Sequence, residues 1–283
     1  MYAAAPSAPW RKRPCSHRAA GRAPGRAYDV DVRPQRAALP PSLAPFVRGI
    51  RRHVDVPADE PYLRLPDGAL ELSLRLDRRG APVLNVLGPR LGPLEKRTEA
   101  SREALVVRFR PGGAYPLLGM PISKLLDRVV PLEQLWPAGA RALASALVDE
   151  RSDARAAALQ HVLTSRLSAG RFEPSQVVLV RRALRLLGSL DALPDVAALS
   201  QRLAVSPRHL RRGFVEVVGI GPKAYLRVLR FQRARRAIRR NPGSPLCRIA
   251  RAVGYYDEAH MAADFRALAG STAGALRSAT QLA

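Results

Sequence analysis

Cysteine is nearly absent: the 283 residues hold only Cys15 and Cys247. Two thiols cannot build a disulfide framework, so a cross-linked secreted scaffold is excluded and a reduced, cytoplasmic setting is expected. Aromatic residues make up 5% of the chain, which is too few for the base-stacking surface of a general single-strand or RNA binder. No apolar run reaches the roughly 18–20 residues of a membrane span, and no apolar stretch of a signal peptide follows the basic N-terminus. Neither an integral membrane protein nor a secretory leader is expected. Acidic groups are scarce as well, 23 against 47 basic ones, for a net charge of +24. Lysine is scarcer still: there are four, and the other 43 basic residues are arginine. A GC-rich genome writes that skew into any protein, so the distribution of charge is better evidence than its total.

The chain does have a hydrophobic fraction of 47%, ordinary for a globular protein, and enough length for two domains, each with its own core. Residues 1–38 carry a net charge of +6, residues 39–170 +5 and residues 171–283 +13. More than half of the excess therefore sits in the last 113 residues, and the phosphate-binding hypothesis belongs there.

The first 38 residues are rich in Ala, Pro, Gly and Arg without strand or helix periodicity, and a disordered basic arm is expected. It either adds electrostatic affinity for DNA or is a dispensable extension. From about 39 to 112 the period is two. Leu70, Leu72, Leu74 and Leu76 alternate with Glu71, Ser73 and Arg75, the pattern of a half-buried strand. Pro66-Asp67-Gly68 has turn chemistry and would join this strand to a partner at Tyr62–Leu65. Val83–Leu87 and Leu105–Phe109 read as further strands, and Arg110-Pro111-Gly112-Gly113 ends the sheet. A small antiparallel sheet or barrel follows. Between about 138 and 168, leucines at three- and four-residue steps predict two helices, broken near Asp149–Asp153, that close this domain or form a dimer face. Residues 170–174 read as a linker. The fold class is therefore α+β in two domains, a β-rich one over 39–170 and an all-α one over 171–283.

The sharpest signal is an internal repeat. Leu199-Ser200 recurs fifty residues on as Ile249-Ala250, and Ala204-Val205 as Gly254-Tyr255; Leu210, Phe214 and Gly219 recur fifty-one residues on as Met261, Phe265 and Gly270. Each unit reads as helix, tight turn, helix, over about 195–219 and 245–270. In the first, Asp195 caps a helix to about Leu203, and Ser206-Pro207 opens a second that buries Leu210 and Phe214. In the second, Asp257 caps a helix that buries Met261 and Phe265. A long helix from Gly221-Pro222 through Arg240 joins the units. Two helices with a basic face on the second make helix-turn-helix geometry. That geometry suits the major groove, where the planar fork of arginine can read guanine.

The segment from about 174 to 279 resembles the AraC/XylS-type DNA-binding domain. The resemblance rests on Leu199-Ser200, Val205-Ser206, Leu210, Arg212, Phe214 and Gly219, then Tyr225-Leu226, Arg230-Phe231 and Ala234. It continues through Ile249-Ala250, Gly254-Tyr255, His260, Asp264-Phe265-Arg266 and Gly270. It implies DNA contacts from Ser206, Arg208, His209, Arg211 and Arg212, with Lys223 on phosphate, and from Glu258, Ala259, His260, Ala263 and Arg266. Three departures stand out. Ala204 replaces a usual glycine, which strains the first turn. Ala263 and Glu258 weaken the second unit, and Ala273 replaces a usual proline before the last helix. The N-terminal half more loosely resembles a sensor domain of one AraC-type subgroup. The shared strings are Leu65-Pro66-Asp67-Gly68 with Glu71-Leu72, Val107-Arg108-Phe109-Arg110-Pro111-Gly112-Gly113 and Asp127-Arg128-Val129-Val130-Pro131-Leu132. The resemblance implies a bacterial transcription regulator acting on double-stranded promoter or operator DNA. RNA polymerase is a further partner, and a small-molecule effector and a homodimer fit the same picture.

Against an enzyme, the five histidines, at 17, 53, 161, 209 and 260, show no metal-ligand spacing, and no metal, cofactor or catalytic residue is assigned. Cys247, beside Leu246 and Ile249, is expected to be a buried structural thiol. Glu71 and Asp67 are expected at strand edges, and Arg110–Gly113 as a plain turn. The remaining alternative is a nucleic-acid binder without sequence preference, whose affinity would be set by salt alone.

Overall fold

The computed structural model describes residues 35–59, 61–151, 154–169 and 175–276. The expected disordered arm and the linker at 170–174 fall almost entirely outside these residues; the last part of the arm, Gln35–Ala37, forms strand β1.

The N-terminal half is built on a six-stranded antiparallel sheet in the order β1-β2-β7-β4-β5-β8, beside a two-stranded ribbon, β3-β6. After β1 come β2 (Val47–Val56), β3 (Pro61–Arg64), β4 (Glu71–Asp77), β5 (Pro82–Leu87), β6 (Leu94–Arg97), β7 (Ser101–Phe109) and β8 (Val129–Pro131). The leucine alternation is that of β4: Leu72, Leu74 and Leu76 are buried while Ser73 and Arg75 are partly exposed. A short helix α1 (Tyr115–Leu118) follows the Arg110–Gly113 turn. Helices α2 (Pro137–Asp149) and α3 (Arg155–Ala169) then bury Leu143, Leu147, Leu159 and Leu163 in the same core as the sheet.

Two sequence expectations are corrected. The strand at 61–64 does not pair with β4. It pairs with β6, and β4 lies between β5 and β7. The nine-residue β7, with Leu105, Val107 and Phe109 buried, offers β4 a longer ladder than four residues could. Glu71 and Asp67 are accordingly not strand-edge groups. Glu71 is buried on this central strand, where Arg64 Nε lies 3.2 Å from its carboxylate. The Arg64 guanidinium also donates to the carbonyls of Gly88 and Ala69, at 3.0 and 2.6 Å. Arg108 reaches Asp67 at 2.5 Å and Glu71 at 3.6 Å. Burial alone would raise the Asp67 carboxyl, but Arg108 and Arg64 hold it below the usual value. Buried charges persist only when paired in this way.

The C-terminal half is helical: α4 (Ser175–Ser189), α5 (Val196–Leu203), α6 (Pro207–Val217), α7 (Pro222–Arg240), α8 (Leu246–Ala252) and α9 (Glu258–Ala269). Phe214, Phe231, Phe265 and Met261 are fully buried at its centre, with Phe231 and Phe265 edge to face at 4.9 Å. Leu65 of the N-terminal half enters the same cluster. Cys247 corrects a third expectation: it is exposed. In α8 the buried positions are Ile249 and Ala250, and Cys247 points about 110° around the helix from the middle of that pair.

Candidate nucleic-acid interface

The first unit starts at Asp195, whose carboxylate accepts the Ala198 N–H at 2.7 Å and caps α5. α5 ends on Ala204 at φ 55°, in the left-handed region, and the Val205 N–H returns to the Ser200 carbonyl at 3.1 Å. Ser206 then caps α6, its Oγ accepting the His209 N–H at 3.2 Å, with Pro207 at the first helical position. These caps satisfy orphan N–H groups and fix where α6 begins. Its buried face is Leu210, Gly213, Phe214 and Val217. Arg208, Arg211 and Arg212 are exposed and His209 partly so. Spacings of three and four residues place the three arginines on one face.

The second unit repeats the turn and the cap of its second helix, whereas α8 starts at Pro245 without a side-chain cap. The Tyr255 N–H returns to the Ala250 carbonyl at 2.9 Å, Gly254 takes φ 87°, and Asp257 caps α9 by accepting the His260 N–H at 2.7 Å. Met261, Asp264, Phe265 and Leu268 are buried, and Glu258, Ala259, His260, Ala263 and Arg266 are exposed. Arg227 of α7 pairs with Asp264 at 2.6 Å, so the buried carboxylate also fastens α9 to the connecting helix. Aligning the caps Ser206 and Asp257 sets Arg208, Arg211 and Arg212 against Ala259, Ala262 and Ala263. The second unit keeps the scaffold and loses the guanidinium groups. Lys223 is exposed in the first turn of α7.

The left-handed turn at Ala204 costs a residue with a Cβ about 1 kcal/mol, whereas the matching Gly254 is free of it. Ala204→Gly is therefore expected to stabilise the C-terminal half by about 0.5–1 kcal/mol, read as a higher urea midpoint with an unchanged slope.

Sequence reasoning missed Tyr256. Of the adjacent tyrosines, Tyr255 is buried, edge-on to His260 at 5.3 Å, with Arg230 over its ring at 5.4 Å; Tyr256 is 89% exposed directly before the α9 cap. Two consecutive aromatics ahead of one cap were the available signal, since only one can enter the core. In the N-terminal half, an open cleft of about 490 Å³ lies between β5, β8 and α2, lined by Val83, Leu84, Asn85, Glu133, Arg141 and Ala144 among others. No helix of the described residues is long and apolar enough to cross a membrane.

Two capped helix-turn-helix units, each presenting its second helix to solvent, define a DNA-binding domain of the helix-turn-helix class. Residues 199–279 match a helix-turn-helix domain family, and residues 35–131 match a domain family of unknown function that contains most of the sensor-like strings. The match over residues 199–279 supports the AraC-type DNA-binding domain expected from the repeat. It is 33% identical over 110 residues to the HTH-type transcriptional regulator GlxA of Rhizobium meliloti, covering 39% of this chain and about a third (34%) of that protein's length. It is also 32% identical over 191 residues to a 5-oxoprolinase subunit of Streptomyces coelicolor, covering 62% of this chain and 71% of that one. This second likeness is weak and distant. Among solved structures, two of ToxT from Vibrio cholerae each give a TM-score of 0.41 at 8–10% identity. They cover 81–82% of this chain and 97% of theirs, a likeness too low for any closer argument.

Proposed function

We propose that this protein is a sequence-specific cytoplasmic regulator whose first unit reads bases through Arg208, Arg211 and Arg212. The single observation that carries this reading is the exposed, one-sided arginine face on a helix whose start is fixed by Ser206 and Pro207. Ser206 and His209 lie at the N-terminal end of that helix, which favours phosphate. The second unit, through Glu258, Ala259, His260, Ala263 and Arg266, adds phosphate and apolar contacts with less affinity. With 19 residues, α7 spans about 28 Å at 1.5 Å per residue. A spacer of that length suits recognition helices entering successive major grooves, roughly 34 Å apart. The N-terminal half, over 39–170, serves as the sensor of a small-molecule effector, for which the cleft beside Asn85, Glu133 and Arg141 is the first place to test. RNA polymerase and a second copy of the chain, meeting through α2 and α3, are the further partners of this reading.

The test is sequencing of genomic fragments retained by the purified protein near physiological salt. One enriched motif supports the reading; uniform retention that vanishes with added salt would leave a charged surface only. Lys223→Ala is expected to weaken binding to all sequences alike and to lower the salt slope by about one, as loss of a single phosphate contact does. Gel shifts over a salt series measure both.

A further inference from the structure

The far end of α6, away from its arginines, is gripped by the N-terminal half. The Tyr115 hydroxyl donates to Glu216 Oε1 at 2.8 Å. Gly112, at φ 75°, approaches α6 so closely that a Cβ there would stand 3.0 Å from Val217. A Cβ on Gly219 would meet Pro89 at 2.7 Å and Ile122 at 3.0 Å. The next helix is held as well: a Cβ on Gly68 would meet the Tyr225 ring at 2.8 Å, and the Gln232 amide donates to the Pro66 carbonyl at 2.5 Å. Four N-terminal segments thus converge on the last turn of α6 and on α7. None of these contacts involves Arg208, Arg211 or Arg212, which stay exposed with the two halves docked.

We propose that Tyr115 is a positioning residue for DNA reading: through Glu216 it sets the angle at which α6 presents its arginines, and the docked arrangement is the DNA-competent one. This inference rests on α6 being the base-reading helix. About eight residues, or roughly 12 Å of helix, separate Glu216 from Arg208, so a tilt at the gripped end becomes a displacement at the reading end. A misplacement of about 1 Å is enough to spoil a bidentate contact, whose geometry is narrow. The phenol–carboxylate bond is charge-assisted and half-buried. Burial first, then Glu216, push the Tyr115 hydroxyl up to about 12, so it remains a donor wherever DNA is bound. Tyr115 follows β7 across only the Arg110–Gly113 turn and opens α1. A rearrangement of the sheet on effector binding therefore has a short path to α6, in the manner of coupled sites that share one movable element.

The test uses the full chain with Tyr115→Phe, Glu216→Gln and the double variant, on a duplex carrying the selected motif and on its scrambled counterpart. Each single change is expected to lower motif affinity about 5–20-fold, within the usual range of coupling between sites, and to leave scrambled-duplex affinity unaltered. The double variant should be no worse than the worse single one, as for partners in one bond. Amide exchange over 214–219 should quicken in all three. A fall in melting temperature with the motif-to-scrambled ratio unchanged would make the contact merely structural and overturn the proposal. A rise in motif affinity would overturn it in the other direction, making the contact autoinhibitory. Should the unaltered protein show no preference for any motif, the reading role of α6 falls first and this inference with it, so the two failures are told apart.

Discussion

Replacing Arg208, Arg211 and Arg212 together with alanine is expected to cut affinity for the selected motif by at least about 100-fold, since each base-reading arginine contributes about 1–3 kcal/mol. The three side chains are exposed and lie outside the core formed by Leu210, Phe214 and Val217. The variant should therefore keep its fold, with an unaltered circular dichroism spectrum and melting temperature. Affinity for unrelated duplexes should fall far less, because 44 of the 47 basic residues remain. Alanine at each site alone should relax the preference at a different base position, which a randomised-duplex selection would resolve. If motif and unrelated duplexes weaken by the same factor, the arginines touch phosphate only and the base-reading assignment is wrong. The matched positions of the second unit offer an internal control: arginine at Ala259 or Ala263 should raise general affinity without restoring the lost base preference.

Glu71→Ala is expected to destabilise the N-terminal half by about 3 kcal/mol. It removes the ion-pair partner of the Arg64 guanidinium, itself 3% exposed, and breaking a buried pair in this way costs about 3–5 kcal/mol. Replacing Arg64 with Met and Glu71 with Leu together should recover only part of the loss, because the apolar pair removes the buried charges but leaves the Gly88 and Ala69 carbonyls without their donor. Urea unfolding measures both. The neighbouring Asp67 gives the network a pH signature. Its folded pKa lies below the reference of 3.8, so its contribution is fully present above about pH 4 and is lost as the pH falls through the lower folded value. Asp67→Asn should flatten that acid limb of the stability curve; an unchanged limb would assign it to other carboxylates.

The two helix-turn-helix units and the helix that joins them are legible almost residue by residue because their signals are local, whereas α4 goes unread. Ser206-Pro207, Asp257, Gly219, Gly254 and Gly270 each act within one turn of the chain, and the repeat doubles the evidence. The sheet is legible only where alternation is clean, as in β4. Strand β2 escapes because its register shifts between Val47 and Gly49 and Asp55 takes φ 50°, which breaks the period of two. The false hairpin at 62–76 shows the same limit: the chain does bend at Gly68, at φ 70°, with the Ala69 N–H on the Asp67 carboxylate, but which strand lies beside β4 is decided by β7, some thirty residues later. Cys247 defies its apolar surroundings because neighbours along the chain are not neighbours on a helix face. The Tyr115–Glu216 contact spans 101 positions, and nothing in either local sequence announces it.

The alanines that face the three arginines across the repeat have a consequence for genome architecture. A reader with unequal halves has no two-fold axis, so a single chain of this regulator has no reason to bind a palindrome. Its site should have a head and a tail, with conserved bases crowded under the arginine unit and drift tolerated under the other. Inverting the site at a promoter would then leave occupancy intact and turn the protein to face the other way along the chromosome.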